Sequence, residues 1–494
     1  MKRTLLILLV LVTVLSAFTG CGEDKAPAVT TEATTNQEEN SYEKILGFGA
    51  ADYDKDFNVL LNNSAGAFKM DMDFYAEENQ SDVVSRQVLA RNHACQEYLG
   101  IDIIYHPEAG NWNSGMPTKI QTVVYGGSDE YDMVAMGLNT GIMGGYVDIY
   151  QNVLDMKYVD TAHSWWVQEM EEMVSINERL IFLTGDACLS TYAYLGCVFA
   201  NLSVADTYGV YEDGVDFYQL VKDGDWTMET FYTMLQKVST VQDGNAINPA
   251  TDTFGWANIQ TSVRVMWSSC ELNLIERQDD GTFAVREKLD DRMLNFIRDM
   301  KTICSDAPTM HFTAATTQSA VDAFVNNRCL FASFFVYLAQ DFKANNMESL
   351  FAVLPLPKYD SQQADYVSTN ITAYNALFFP KTIGDPELSA KVAEFMGYYG
   401  QTRVVPAYYD ENLKYRNNDV GQANVEMLDL IREKLRVNPN ELYGVIGDII
   451  GITPTTAKNM DETDGFYSVP TSKWEKVQTG FNDGVLNYIY QYFR

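Results

Sequence analysis

Apolar and polar positions along residues 52–140 fall into alternating short blocks. Asp56–Leu61 (DFNVLL) carries the compact apolar run of a strand. Ser81–Leu99 places Val84, Val88, Cys95 and Leu99 at helical spacing and predicts an amphipathic helix. Ile101–Tyr105 (IDIIY) reads as the next strand, Pro117–Val124 as a helix, and Tyr131–Met136 (YDMVAM) as a further strand. This order predicts a mostly parallel sheet covered by helices. Ligands of such sheets gather beyond the carboxyl ends of the strands. Here those ends run into Asn62-Asn63-Ser64, His106–Gly115 and Gly137-Leu138-Asn139-Thr140, loops rich in glycine and amides.

A second α/β unit is predicted to open at Leu180–Leu183 (LIFL), followed by the apolar run Tyr194–Ala200. Ser203–Gly209 and Thr227–Val238 read as helices. A third helix runs from Met293 through Cys304, on a stripe with Leu289, Ile297 and Met300. Asn326–Val336 and Phe351–Leu356 are strand-like. Thr372–Phe379 and the helix Glu387–Tyr399, with Leu388, Val392, Phe395, Met396 and Tyr399 on one face, read as a return to the first unit. No internal repeat is present. Two such units joined by crossovers leave a cleft, and domain junctions are common ligand sites.

The N-terminus changes the picture of where this body resides. Lys2 and Arg3 precede the apolar run Leu5–Leu15, and small residues lead up to Cys21, the pattern of a secretory signal over residues 1–20. The run is about half the ~20 residues that span a bilayer. Phe18-Thr19-Gly20-Cys21 is similar to a bacterial lipobox, with Phe18 where leucine is usual. Lipidation of Cys21 and ordinary cleavage beside an unrelated cysteine are the two readings. Residues 21–41 are rich in Thr, Glu, Asn, Ala and Pro, too polar to bury a core, and predict a disordered tether. A flexible coil of that length spans roughly 25 Å.

Charge and cysteine usage exclude more than they assign. The net charge is −32, and removal of the signal, which takes away Lys2 and Arg3 but no acid, makes it −34. Nucleic acid and polyanionic surfaces are excluded as partners. Beyond Cys21, the cysteines Cys95, Cys188, Cys197, Cys270, Cys304 and Cys329 show no metal-binding spacing. They read as buried thiols, with a Cys188–Cys197 disulfide as the alternative. The acids Asp52, Asp54 and Asp56 precede Phe57 rather than glycine and read as a solvated turn. Val241–Gly255 lacks glycine at the sixth loop position from Asp243, so calcium is not expected there. No nucleophile elbow, zincin, Walker or dinucleotide motif occurs. His93, His106, His163 and His311 stand apart in the sequence, and no cofactor, metal or catalytic residue is predicted.

Four stretches in order carry a family likeness: the signal, lipobox-like tetrapeptide and tether; Phe74–Ile104 with Arg91-Asn92; Trp165-Trp166 through Leu180-Ile181-Phe182 and Gly185-Asp186 to Trp226-Thr227; and Leu354–Asp360 through Pro380-Lys381 and Pro406–Tyr409 to Glu426–Asp429. Together they resemble the extracellular solute-binding lipoproteins of bacterial ABC importers, in the maltose-type sugar-binding group. The resemblance implies an α/β, two-lobed periplasmic-binding-protein-like fold of type II, each lobe a mixed sheet flanked by helices, with hinge crossovers between them. Lobe 1 would hold 42–160 plus 366–402, and lobe 2 would hold 161–365 plus 403–494. It further implies a monomer anchored by Cys21 to the outer face of the cytoplasmic membrane, Gram-positive-like, that binds a solute and docks on ABC permease subunits.

Aromatic residues make up 13% of the chain, which suits a sugar, since flat rings cover its C–H faces while amides and carboxylates meet its hydroxyls. The residues expected at the cleft are Trp112, Asn139 and Thr140 from the first lobe, Asp186, Tyr192, Phe335 and Tyr337 from the second, and Asn370 and Tyr374 at the return crossover. A sensor or adhesion lipoprotein, and an exported glycan-active enzyme, are the alternative functions.

Overall fold

The computed structural model describes residues 41–443, apart from 64–72, 77–81, 110–114, 143–147, 177, 212–215, 241–246, 259–261, 287–288, 307–310, 314–316, 371–373 and 414–417. The signal, Cys21, most of the tether, Trp112 and the start of the calcium-loop-like stretch lie outside the described residues. The chain divides into two compact units, Met1–Ala51 and Asp52–Arg494. In the first, residues 41–46 form a short helix closed by Gly47 N donating to Glu43 O at 3.0 Å.

In the second unit, β1 (Lys55–Asn63) leads to α1 (Val83–Leu99), β2 (Ile101–Ala109), α2 (Met116–Tyr125), β3 (Met133–Gly137) and the short α3 (Leu138–Ile142). Phe57, Val59, Leu60 and Leu61 are all buried because β1 is central, parallel to both β2 and β3, with helices available to cover its faces. Asp82 caps α1 by accepting from Ser85 N at 2.7 Å. The predicted stripe Val84, Val88, Cys95 and Leu99 is buried, and so are Arg91 and Asn92.

The other sheet is larger. It is built from β4 (Gly196–Asn201), β5 (Phe254–Asn258), β8 (His311–Thr313), β9 (Cys329–Phe335) and β10 (Phe351–Leu354), in the order β10-β4-β9-β5-β8. A separate hairpin joins β6 (Ile275–Arg277) to β7 (Phe283–Val285). The sheet is mixed: β5 is parallel to β8 and β9, while β4 is antiparallel to β9 and β10. The flanking helices include α4 (Met228–Gln236), α5 (Ser262–Ser269), α6 (Asp291–Lys301), α7 (Thr317–Val325) and α8 (Leu338–Ala344). Phe331 on β9 is the centre of an aromatic core, with ring centroids 5.5 Å from Phe217, 5.4 Å from Trp226 and 5.1 Å from Phe231. Trp226 donates to Pro355 O and Trp256 to Ser333 Oγ, both at 2.8 Å, so these two buried indole N–H groups are satisfied.

The chain then returns. β11 (Asn375–Phe378) joins the edge of the first sheet antiparallel to β3, completing the order β11-β3-β1-β2. Helix α9 (Pro386–Tyr399) packs on α1. A π-helical turn, Gly400–Val404, leads to α10 (Val405–Leu413), which packs on α8 and on α11 (Asn418–Glu433). The described chain closes with α12 (Pro439–Tyr443).

Two expectations need correction. Leu180–Leu183 does not open the second sheet: it stays with the first, Leu183 pairing with Leu377 of β11 and Leu180 N being bound by Asn152. Short apolar runs do not reveal which neighbour they pair with. The helix expected through Cys304 ends at Lys301 and continues as a π-helical turn, Thr302–Asp306. The cysteines agree with expectation: Cys188 and Cys197 are buried free thiols, not the alternative disulfide, as are the other four described cysteines. Burial raises the pKa of Cys188 and Cys197 well above the usual thiol range, which makes them poor nucleophiles.

Replacing Phe331 by Ala should remove about 3–5 kcal/mol of stability, because the ring is fully buried among others that cannot collapse into its place. Urea unfolding followed by circular dichroism measures this. A loss below about 1 kcal/mol would contradict the assigned core.

Candidate functional site

Between the two sheets the chain passes three times. The first passage, residues 184–195, runs from the Leu183–Leu377 bridge to Gly196, whose N–H donates to Thr369 O at 3.0 Å. The second, of which Thr369, Asn370 and Tyr374 are described, lies beside it, Asn370 facing Thr191 O. The third is α9, the π-helical turn and α10. Crossing segments are buried yet outside regular ladders, so their polar groups need partners of another kind. Three buried carboxylates supply them.

Asp73, fully buried just beyond β1, accepts from Ser190 N at 2.7 Å, Ser190 Oγ at 2.5 Å and Asn375 Nδ2 at 2.9 Å. It therefore joins the first passage to the second. Arg91 of α1 donates to Asp73 O at 2.6 Å and to Ala187 O at 3.1 Å, fixing the same junction from the helix side. Burial pushes the Asp73 carboxyl up to about 6, against the pull of its hydrogen bonds and of Arg91.

Asp186 lies in the first passage with both oxygens held by Arg432 of α11, at 3.1 Å from Nε and 2.5 Å from Nη2. Its carboxyl is also raised, to about 6, by burial, while Arg432, Tyr192 and Gln401 work in the opposite direction. The guanidinium lies over the Tyr192 ring, 5.4 Å from its centroid, and remains charged because it faces this carboxylate. Side chains cannot be added here: a Cβ on Gly400 would overlap the Asp186 carbonyl, and one on Gly185 would overlap that of Trp165.

Glu394 of α9 is the third. It accepts from the indoles of Trp165 and Trp166 at 2.8 and 2.9 Å, from Asp160 N at 3.0 Å, and is paired with His163 Nδ1 at 2.8 Å. The hydrogen bond to Glu394 raises the pKa of His163. The tandem tryptophans thus pack at the crossovers, where their polar edges bind a carboxylate.

The strand ends carry the other predicted residues. Asn139 and Thr140 are on α3, directly after β3, Asn139 half-buried and Thr140 buried. Leu138 N donates to Tyr374 O at 2.8 Å, so this end of the first sheet is tied to the second passage. Asn370 there reaches Thr191 O at 3.5 Å. Phe335 and Tyr337 stand at the carboxyl end of β9, with ring centroids 5.9 Å apart, and both pack on Tyr194 at 5.7 and 5.1 Å. Away from the crossovers, α12 meets α3. Beside that contact Arg264 of α5 lies 3.2 Å from the buried Glu441 of α12.

The predicted residues therefore form three groups: Asn139, Thr140, Asn370 and Tyr374 around the second passage; Phe335 and Tyr337 at β9; and Asp186 with Tyr192 around Arg432. Sequence reasoning missed Asp73, Glu394, Arg432, Tyr194, Arg264 and Glu441. Of these only Tyr194 had a signal, at the head of an apolar run that leads into β4. Among the described residues no group of three His, Cys, Asp or Glu side chains is placed to hold a metal ion, and no helix is long and apolar enough to cross a membrane.

Two helix-flanked mixed sheets joined by three passages constitute the two-lobed fold of periplasmic-binding-protein type. Solved structures agree. The chain is similar to the galacto-N-biose/lacto-N-biose I-binding protein of an ABC transporter from Bifidobacterium longum, with a TM-score of 0.54 and 12% identity over 88% of this chain and 97% of that one. It is similar to a cyclo/maltodextrin-binding protein solved with maltotetraose, at a TM-score of 0.52 and 11% identity over 88% and 97%. It is also similar to UspC of M. tuberculosis, at 0.51 and 12% over 87% and 100%. At such identities the likeness establishes the fold. No family model matches the sequence, and no curated protein matches it either.

Folding raises the pKa of Asp73 from 3.8 to about 6 and that of His163 above 6.5. The folded state therefore holds the extra protons. Each stabilising contribution is complete below the unfolded value and is lost as pH rises through the folded one. Acidifying from neutral pH towards 3.8 should thus add up to about 3 kcal/mol from Asp73, and Asp73→Asn should flatten that part of the profile. Urea midpoints measured across this range test it. A wild-type profile that Asp73→Asn leaves unchanged would remove Asp73 from the account.

Proposed function

We propose that this chain is an extracellular solute-binding protein, not an enzyme, that captures a sugar or oligosaccharide between its lobes and delivers it to the membrane subunits of an ABC importer. The observation that carries the reading is that candidate polar and aromatic residues stand at the strand ends and crossovers of both sheets. In open α/β sheets ligands bind beyond the carboxyl ends of strands. Supporting it, amides and hydroxyls stand at the end of β3 and along the second passage, and a three-ring cluster stands at the end of β9. The solved proteins of this fold include ones described as binding lacto-N-biose and maltotetraose, which favours carbohydrate.

In this reading one lobe surrounds the four-stranded sheet and the other the five-stranded sheet. The reading puts the first boundary within residues 184–195, where the sequence alone suggested residue 161, and the pairing of Leu183 with Leu377 of β11 supports it. Asn139, Thr140, Asn370, Tyr374, Phe335 and Tyr337 contribute to the ligand site, together with Trp112 from the loop GNWNSG. Asp186 and Tyr192 act through the hinge. Cys21 carries the lipid, the tether gives the body reach from the outer face of the cytoplasmic membrane, and the protein works as a monomer.

A thermal-shift series with mono- and oligosaccharides tests the reading. A sugar at 100 times its Kd should add about 2.7 kcal/mol of stability. Stabilisation by amino acids or peptides but by no neutral sugar would defeat the carbohydrate assignment. Hydrolysis of the stabilising sugar would turn the reading to an enzyme.

A further inference from the structure

Several buried asparagines of the second unit use their side chains to hold backbone. The side-chain oxygens of Asn201, Asn424 and Asn440 accept from Val204 N, Val353 N and Ile275 N at 3.1, 2.8 and 2.7 Å. Asn258 departs from this pattern. The residue is only 2% exposed, yet its Oδ1 has no hydrogen-bond partner among the described residues. A buried acceptor left without a donor typically costs about 1–3 kcal/mol. Such a group in a folded protein calls for a reason beyond stability.

Its place in the sheet supplies one. Asn258 is the last residue of β5, which lies between β9 and β8. The register aligns it with Ser333 of β9 and Thr313 of β8. Side chains alternate along a strand, and aligned residues of parallel neighbours share a face, so Trp256, Asn258, Ser333 and Phe335 belong to one face. There Trp256 is covered by Phe231 of α4, with ring centroids 5.3 Å apart, and its indole bonds to Ser333 Oγ. Asn258 stands one step nearer the carboxyl end, where ligands of such sheets bind. Phe335 is one strand across and two residues further on. With strands about 4.8 Å apart and a rise of about 3.3 Å per residue, the two backbone positions are about 8 Å from each other. One sugar ring can therefore meet both side chains, its flat face on the phenyl ring and an edge hydroxyl on the amide.

We propose that Asn258 is a specificity-determining residue of the solute site, its Oδ1 accepting from a hydroxyl of a sugar whose apolar face lies on Phe335. The assignment deepens the solute-capture reading and rests on it. An unpaired amide oxygen requires a donor. A hydroxyl supplies one, whereas a carboxylate at the same point brings only another acceptor. Bound solute thus completes the hydrogen bonding of the strand end, and an analogue without that hydroxyl leaves the amide unpaired again.

Asn258→Leu keeps the branch at Cγ and removes the unpaired oxygen. Without sugar, the urea midpoint of this variant should rise, because the amide oxygen makes no bond that folding would lose. Its affinity for the stabilising neutral sugar, measured by calorimetric titration of the full chain, should fall at least about tenfold. An asparagine that only supports the fold would do the reverse, and a lowered midpoint with unchanged affinity would overturn the assignment. Deoxy analogues of the sugar, lacking one hydroxyl at a time, identify the group that Asn258 receives. One of them should bind the wild type at least about tenfold more weakly than the parent sugar, with that difference largely absent in the variant. Losses that simply add for every analogue would also overturn it. Asn258→Ala, read for affinity and for the analogue series, takes its place if Asn258→Leu does not fold. Sugar binding by the wild type that both variants retain defeats the role of Asn258 and leaves solute capture standing. Failure of every neutral sugar to bind the wild type defeats solute capture itself, and this assignment with it.

Discussion

Three carboxylates almost without access to solvent, Asp73, Asp186 and Glu394, stand where the chain passes between its two sheets, and the arrangement of the whole second unit depends on their being satisfied. A buried charge without partners is too costly to keep, so each one dictates what surrounds it. Asp73 requires Ser190 and Asn375 to lie side by side, which aligns the first and second passages. Asp186 requires Arg432, which brings α11 to the first passage. Glu394 requires the indoles of Trp165 and Trp166 and the imidazole of His163, which seats the start of the third passage against the chain ahead of the first.

Such pins are specific rather than simply stabilising. Replacing a buried pair by apolar groups is often neutral, whereas removing one partner typically costs about 3–5 kcal/mol. The passages therefore resist sliding, since sliding strands a charge, while the backbone between the pins remains free to bend. Gly185 and Gly400 let those segments approach more closely than any side chain would permit. A junction fixed at points and bendable between them is what two lobes need in order to open and close as rigid bodies.

Most of the first sheet was legible in the pattern, because β1, β2 and β3 are apolar runs separated by two helices, α1 and α2. The tertiary placement of Leu180–Leu183 was not, since four apolar residues fit an edge of either sheet. Strand β5 (FGWAN) passed unnoticed because it is five residues long and lies beyond a polar loop. Among the candidate site residues, the position of Asn139 and Thr140 was readable from topology alone, as they follow a parallel strand. Glu394 was not: it interrupts an otherwise apolar helix, and its partners are about 230 residues away in sequence, beyond the reach of any local pattern. Asp186 was noticed as a candidate contact to solute, but its engagement by Arg432 depends on a fold that no spacing discloses.

In the proposed function, two lobes pinned at three buried carboxylates close on a sugar. Spin labels at Thr122→Cys on α2 and Asp322→Cys on α7, both exposed positions in opposite lobes, report it most directly. The native thiols that flank the crossovers are buried and should not react, and Cys21→Ser removes the remaining candidate. Pulsed electron–electron distance measurement, without and with a stabilising sugar, should show one distribution replaced by a different and narrower one. An unchanged distribution under saturating sugar would contradict closure and leave a rigid binding scaffold.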